Sequence, residues 1–149
     1  VSRIEVRAAS AGDETAWREL WEGYCAFYET DVPADVTAAT WRRLLDPDEP
    51  LEGLVAEQDG EIVGFVNCVL HATTWGVAET CYLEDLFVSP AARGGGAGRA
   101  LIEAVVERAR SNGWNKVYWH TRADNERARA LYDSFTQADD FVRYVVPPD

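Results

Sequence analysis

The sequence predicts an α/β domain built on a mostly antiparallel sheet with crossover helices, and three observations carry that prediction. Apolar runs with a period of two (IEVRAA, GLVAEQ, EIVGFVNCVL, ETCYLEDLFV) alternate along the chain with stretches of helical period. The resulting order is strand, two helices, three strands, then helix, strand, helix and strand, which excludes all-helical and sandwich folds. Asp59-Gly60 separates two of the strands as a tight hairpin signal and makes that pair antiparallel.

Each element has its own justification. Ile4 to Ala9 alternates as a short strand closed by Ser-Ala-Gly-Asp. From Asp13 to Glu29 the period turns helical, with Ala16, Leu20, Gly23 and Phe27 on one face and Trp17, Trp21, Tyr24 and Tyr28 as an aromatic stripe beside it. TDVPAD ends that helix, and VTAATWRRLLD forms a second that stops at Pro47. The hairpin of GLVAEQ and EIVGFVNCVL follows, then the loop HATTWG and the strand ETCYLEDLFV. RGGGAG opens the helix GRALIEAVVERARSNG, whose stop signal is Asn112-Gly113. WNKVYWHT reads as a strand, ADNERARALYDSF as a helix opening at Asp124 or Asn125, and FVRYVV as a last strand.

Composition bounds the function. A chain of 149 residues, 47% hydrophobic, suits one domain over residues 1–149 with a sizeable core. Fourteen basic against 26 acidic side chains give a net charge of −12, which argues against nucleic acid and fits either a cationic partner or acidity that only keeps the protein soluble. Cys25, Cys68 and Cys81 are spaced for neither metal nor disulfide and are expected to pack as small hydrophobes. His71 and His120 lack the company a metal site needs, so no metal is expected. No apolar run is long enough for a membrane span, and VSRIEVRAASAGDE has no apolar leader core, so the expectation is cytoplasmic.

The stretch RGGGAGRAL, Arg93 to Leu101, carries the most chemistry. It lacks the Lys-Ser/Thr ending of a nucleotide phosphate loop, and its glycines miss the dinucleotide register. What remains is a strand, a glycine loop and a helix start, an arrangement whose bare amides converge on an anion such as a pyrophosphate. A flexible surface loop is the competing reading. Upstream, YLEDLFV places adjacent carboxylates, Glu84 and Asp85, in an otherwise apolar strand. Alternation puts Tyr82, Glu84 and Leu86 on one face and Leu83, Asp85 and Phe87 on the other, unless a bulge intervenes.

Arg93-Gly94-Gly95-Gly96-Ala97-Gly98 matches the [QR]-x-x-G-x-[GA] signature, and the chain thereby resembles the GNAT superfamily of acetyl-CoA-dependent N-acetyltransferases. LEDLFVSPAARGGGAGRALIEAV looks like that family's fourth strand, pyrophosphate loop and third helix, and NERARALY like its later N-x-x-A-x-x-L-Y segment. YLEDLFV is similar to small polyamine and histone-type amine acetyltransferases. One departure is that TQADDF after LYDSF lacks the family's usual glycine. The resemblance implies a mixed, mostly antiparallel sheet of about six to seven strands flanked by about four helices.

It also implies a reaction, acetyl transfer from acetyl-CoA to a primary amine by direct attack in a ternary complex. The pyrophosphate would lie on Arg93, Gly94, Gly95, Gly96, Ala97, Gly98, Arg99 and Ala100, and the pantetheine arm along Leu86, Phe87 and Val88. Glu84 takes the position of the general base and Tyr132 that of the general acid, with Asn125 as a cofactor contact or simply a helix cap. Asp85 is expected to be structural or to share in acceptor binding. Trp21, Tyr28, Asp31 and Trp75 are candidates for holding the acceptor through aromatic faces and charge, with core packing as the competing reading for the stripe. The acceptor is expected to be a polyamine, another small amine or a lysine-bearing peptide, and a homodimer pairing through FVRYVV is expected. A non-catalytic acyl-CoA-binding sensor is the alternative in which the cradle is kept without turnover.

Overall fold

Alternating apolar segments become five strands, β1 (Ile4–Ala8), β2 (Leu51–Gln58), β3 (Glu61–His71), β4 (Thr80–Val88) and β5 (Val117–Tyr118), joined in that order in one sheet. The helical segments become α1 (Glu14–Phe27), α2 (Ala34–Leu45), α3 (Ala97–Asn112) and α4 (Glu126–Asp133), with short 3-10 turns at Ala11–Asp13 and Pro90–Ala92. These elements are those of a computed structural model, which describes residues 3–148. The first four strands pair antiparallel and β4 pairs parallel with β5. The chain divides into two compact units, Val1–Trp119, which contains the sheet and the first three helices, and His120–Asp149, which contains α4.

In the first unit Trp17 of the α1 aromatic stripe is core, Trp21 and Tyr24 pack half-buried against it, and Tyr28 is exposed. Trp17 is 1% exposed and packs on Trp41 and Phe65, with Trp21 stacked on Trp17 at 5.3 Å. Full burial of side chains this size contributes about 1.5–3 kcal/mol each. Phe65 therefore marks the α1 face of the sheet. Leu101, Ile102 and Val105 are buried on α3, and the other sheet face lies under that helix. Gly64 of β3 is required by close approach, because a Cβ there would sit 2.9 Å from the Phe87 carbonyl oxygen. Cys68 and Cys81 are buried and free, as the packing reading expects. The Cys68 thiol is pushed up by its hydrogen bond with Cys81 and by burial.

Arg7 fastens β1 to the start of α1. Its Nη1 and Nη2 donate to the two Asp13 carboxylate oxygens at 2.7 and 2.9 Å, and Nη2 also reaches Glu57 at 3.1 Å. The Ser10 amide donates to the same Asp13 at 2.8 Å. These bonds, Arg7 foremost, hold the Asp13 carboxyl below the usual range.

The observed sheet is shorter than the six to seven strands expected. WNKVYWHT contributes only Val117–Tyr118, and FVRYVV forms no strand. Residues 141–146 are rich in Val and aromatic side chains, but a strand exists only where a partner edge takes its amides, and none pairs with them among the described residues. The segment is left exposed, with Phe141 at 86% and Tyr144 at 90%.

Candidate active site

Alternation fails at one point in β4, and the site is organised around it. Asn67 of β3 pairs with Asp85 while the next residue, Cys68, pairs with Leu83, so Glu84 is an extra residue opposite neither. Phe87 lies on the α1 face, where its ring meets Gly23 and Tyr24. Asp85, two residues earlier, shares that face, and Val88 lies on the other, where it and Leu101 of α3 both flank the place a Gly64 Cβ would take. Leu83, opposite Cys68, belongs to the α3 face, so Glu84 turns back towards α1. The bulge thus corrects the strict alternation expected from sequence and places Glu84 and Asp85 side by side on one face.

Their surroundings differ. Glu84 is exposed and Asp85 partly buried. Asp85 accepts a hydrogen bond from Asn67 Nδ2 at 3.1 Å and another from the Tyr24 hydroxyl. Burial pushes its carboxyl up to about 6, with Glu84 adding to the rise and the two donors opposing it. Tyr24 is itself pushed up by burial and by the Asp85 carboxylate. Asn67 is 4% exposed, and its Oδ1 is buried without a hydrogen-bond partner. Sequence reasoning missed Asn67 and Tyr24. A single amide inside the apolar run VGFVNCVL was the available signal for the first, and the second was hidden in the aromatic stripe.

The far edge of β4 is open. Cys81 and Tyr82 pair with β5, and among the described residues of the first unit Leu83–Val88, including the expected Leu86, Phe87 and Val88, have no strand beyond them on that side. Just past this edge the backbone turns through the glycines. Gly94 and Gly96 have φ of 86° and 93°, a left-handed conformation that favours glycine, and a Cβ at either would meet nothing within 4 Å. Their absent side chains therefore serve backbone shape and open space, with no packing partner to explain them. Gly96 caps α3, whose first turn carries Ala97, Gly98 and Arg99, and the Ala100 amide closes on the Gly96 carbonyl at 3.0 Å. Such a turn is electropositive and suits an anion. Arg93 is folded back on the strand end, its Nε donating to the Val88 carbonyl at 3.2 Å and its guanidinium lying 5.5 Å from the Phe87 ring centroid.

A cavity of about 850 Å³ adjoins this corner, lined by Ala16, Leu20, Gly23 and Phe27 of α1 together with Phe87 and Arg93. The α1 face of Ala16, Leu20, Gly23 and Phe27 therefore fronts a cavity, while in the stripe beside it Trp17 is buried, Trp21 and Tyr24 are half-buried and Tyr28 is exposed. Trp21 and Asp31 share a separate groove with Cys25, and Trp21 donates its indole N–H to Thr37 at 3.2 Å. Tyr28 caps α1 against Tyr24, at 4.9 Å between rings. Trp75 is on the β3–β4 loop, 93% exposed, and is brought to none of these places.

His71 and Tyr118 form a further polar pair, 2.8 Å from Nε2 to the hydroxyl, with Tyr82 stacked on Tyr118. The Ala72 carbonyl, 2.9 Å from Nδ1, only accepts, so Nδ1 carries a proton and in the neutral ring the tyrosine donates to Nε2. In the second unit Asn125 begins α4, its Oδ1 accepting from the Ala128 amide at 3.3 Å. The cap expected from sequence is present there. Tyr132 lies on the same helix, between Leu131 and Asp133. Among the described residues no cluster of His, Cys, Asp and Glu is arranged to hold a metal, and no helix is long and apolar enough to cross a membrane.

A strand with an open edge thus runs through a glycine turn into an electropositive helix start, an arrangement that fits an anionic group at the end of an extended ligand. The acetyltransferase (GNAT) family matches residues 15–135, and the chain belongs to that family. It is 40% identical to the D-amino-acid N-acetyltransferase HPA3 of Saccharomyces cerevisiae, over 95% of this chain and 89% of that protein. Its fold is similar to the ribosomal-protein-alanine N-acetyltransferase of Brucella melitensis, with a TM-score of 0.82 at 24% identity, over 97% of this chain and 99% of the other. It is likewise similar to the aminoglycoside acetyltransferase AAC(6')-Iy in complex with a coenzyme A bisubstrate analogue, with a TM-score of 0.84 at 20% identity over 99% of each chain. The protein is an N-acetyltransferase whose acyl donor is acetyl-CoA.

Proposed function

We propose that residues 1–149 act as a single N-acetyltransferase domain that acetylates a small primary amine, such as an amino acid, a polyamine or a lysine side chain, by direct attack in a ternary complex. The observation that carries this reading is the carboxylate pair on β4, on the α1 face and beside the open strand edge. An amine with a pKa of about 10.4 is neutral in roughly one molecule in a thousand at pH 7, so proton removal is part of the task. A partly buried carboxylate on an apolar strand is suited to it.

Acetyl-CoA supplies the thioester whose carbonyl carbon the amine attacks. The glycine turn fits its pyrophosphate, since Gly94 and Gly96 leave open space above bare amides. In this reading Arg93, Gly94, Gly95, Gly96, Ala97, Gly98, Arg99 and Ala100 hold that group, the open edge at Leu86, Phe87 and Val88 hydrogen-bonds the pantetheine arm, and Asn125 contributes an amide contact. Glu84, open to water, passes the amine proton to solvent, and Tyr132 protonates the departing thiolate. A net charge of −12 draws cationic acceptors towards the protein. HPA3 is by name a D-amino-acid acetyltransferase, and AAC(6')-Iy an aminoglycoside one. Both substrate classes offer amines, which supports a small-amine acceptor.

The free thiols suit a reducing cytoplasm. The exposed segment 141–146 suits pairing with a second copy, giving a homodimer. The decisive experiment mixes protein, acetyl-CoA and a panel of D-amino acids, polyamines, aminoglycosides and lysine peptides and follows thiol release. Release with at least one primary amine is expected, and no release across the panel would overturn the reading.

A further inference from the structure

We propose that Asn67 and Asp85 form the seat of the acceptor's amino group, and that Asp85 is the group that takes its proton. This rests on the acetyltransferase reading above and assigns the amine's place within it. Asn67 Nδ2 is committed to Asp85, because a carboxylate only accepts, and that fixes which way the amide points. The other end of the same amide, Oδ1, is therefore an acceptor whose direction is set, and it is buried with nothing donating to it. A buried acceptor left unsatisfied costs about 1–3 kcal/mol.

Among the described residues of the first unit, the groups acting on Asp85 are two hydrogen-bond donors and a second carboxylate, and none is a cation. Tyr24 and Cys25 face Asp85 from α1, Glu84 stands beside it on β4, and Asn67 opposes it on β3. Tyr24 already spends its hydroxyl proton on Asp85. The seat lacks a donor carrying several hydrogens and a positive charge, and a primary ammonium is that group. Its three N–H bonds match the orphaned Asn67 Oδ1 and the remaining lone pairs of Asp85.

Chemistry follows from the seat. One ammonium proton moves to an Asp85 oxygen, and the freed nitrogen lone pair forms the new N–C bond. The C–S bond breaks, and the sulfur leaves with its electron pair and takes a proton. A second proton leaves the nitrogen to restore a neutral amide. Asp85 then releases its proton to water, with exposed Glu84 alongside as the outlet.

The test is the pH profile of kcat/KM, from pH 5 to 9, for the wild type and for Asp85→Asn, Glu84→Gln and Asn67→Ala, using the fastest of D-phenylalanine, spermidine and neamine. The wild type is expected to lose activity on the acid side with an apparent pKa of about 6. Asp85→Asn loses that limb and on the order of 10²–10⁴ in rate. Glu84→Gln keeps the limb but moves it to lower pH, because Glu84 raises the Asp85 value. Asn67→Ala moves it to higher pH by removing a donor, and raises the KM for the amine about tenfold while the KM for acetyl-CoA is unchanged. Circular dichroism and acetyl-CoA affinity confirm that each variant is folded. If Glu84→Gln abolishes the limb and Asp85→Asn retains it, this inference fails while the acetyltransferase reading stands. If the wild type acetylates none of the three amines, calorimetric titration with spermidine reads the seat directly, and equal affinity in wild type and Asn67→Ala overturns it.

Discussion

Asp85 is held at a cost to the fold. Its carboxyl is raised from the ordinary 3.8 to about 6, so between those values the folded chain binds a proton that the unfolded chain releases. Folding stability attributable to Asp85 is therefore full below about pH 4 and falls as pH rises to about 6. Asp85→Asn should consequently stabilise the protein at pH 7 by on the order of 2 kcal/mol and change it little at pH 4, which thermal melts at the two values would show. A variant that gains stability while losing turnover would mark Asp85 as a residue kept for chemistry. Tyr24→Phe gives a second check at this scale. It removes the hydroxyl that lowers the Asp85 value, so the acid limb of kcat/KM should move upwards, and an unmoved limb would count against the contact.

At the scale of elements, the strands and helices that pack were legible in the sequence, because burial enforces period. The β2–β3 hairpin turns at Asp59-Gly60 as expected, and α3 ends at Gly113 with φ 69°. The bulge was legible only in part. Cys81 and Leu83 face α3 at odd positions and Leu86 and Val88 at even ones, a change of parity that β4 carries on its surface. Reading it needs the partner register, which only the folded sheet supplies. FVRYVV shows the opposite limit, since pattern without a partner edge makes no strand. Arg7 and Asp13, which the sequence did not single out, hold β1 to the start of α1. Asp13→Asn should cost about 1–3 kcal/mol at pH 7 by leaving the guanidinium short of its carboxylate. Because the Asp13 value is depressed, its contribution is present above the usual carboxylate pKa and is lost as pH falls below it, so the wild type and variant should converge in acid melts.

Over the whole molecule, a net charge of −12 sets the long-range field, and only 14 basic side chains oppose it. Steering of a polycationic acceptor should then weaken with salt, since the screening length is about 8 Å at 0.15 M. The kcat/KM for spermidine should fall several-fold between 20 mM and 500 mM salt, an order-of-magnitude expectation, while that for a neutral-overall D-amino acid changes little. Equal salt dependence would show that the field plays no part in capture. The exposed apolar run at 141–146 makes its own prediction. If it pairs with a second copy, Val142→Lys should shift gel filtration from dimer to monomer, and a wild type that already elutes as a monomer would dismiss that pairing.

Glu84 finally makes β4 unusually tolerant of one change in length. Deleting it would splice Leu83 directly to Asp85, opposite Cys68 and Asn67, in a regular ladder that leaves every other residue facing as before. Deleting Leu86 instead would swing Phe87 away from Gly23 and Tyr24 and empty its place against α1. The first shortened chain should fold and melt cooperatively, and the second should not. A residue that can leave a strand without disturbing its neighbours is free to come and go over evolutionary time. Relatives with one carboxylate here and relatives with two can then share a single fold.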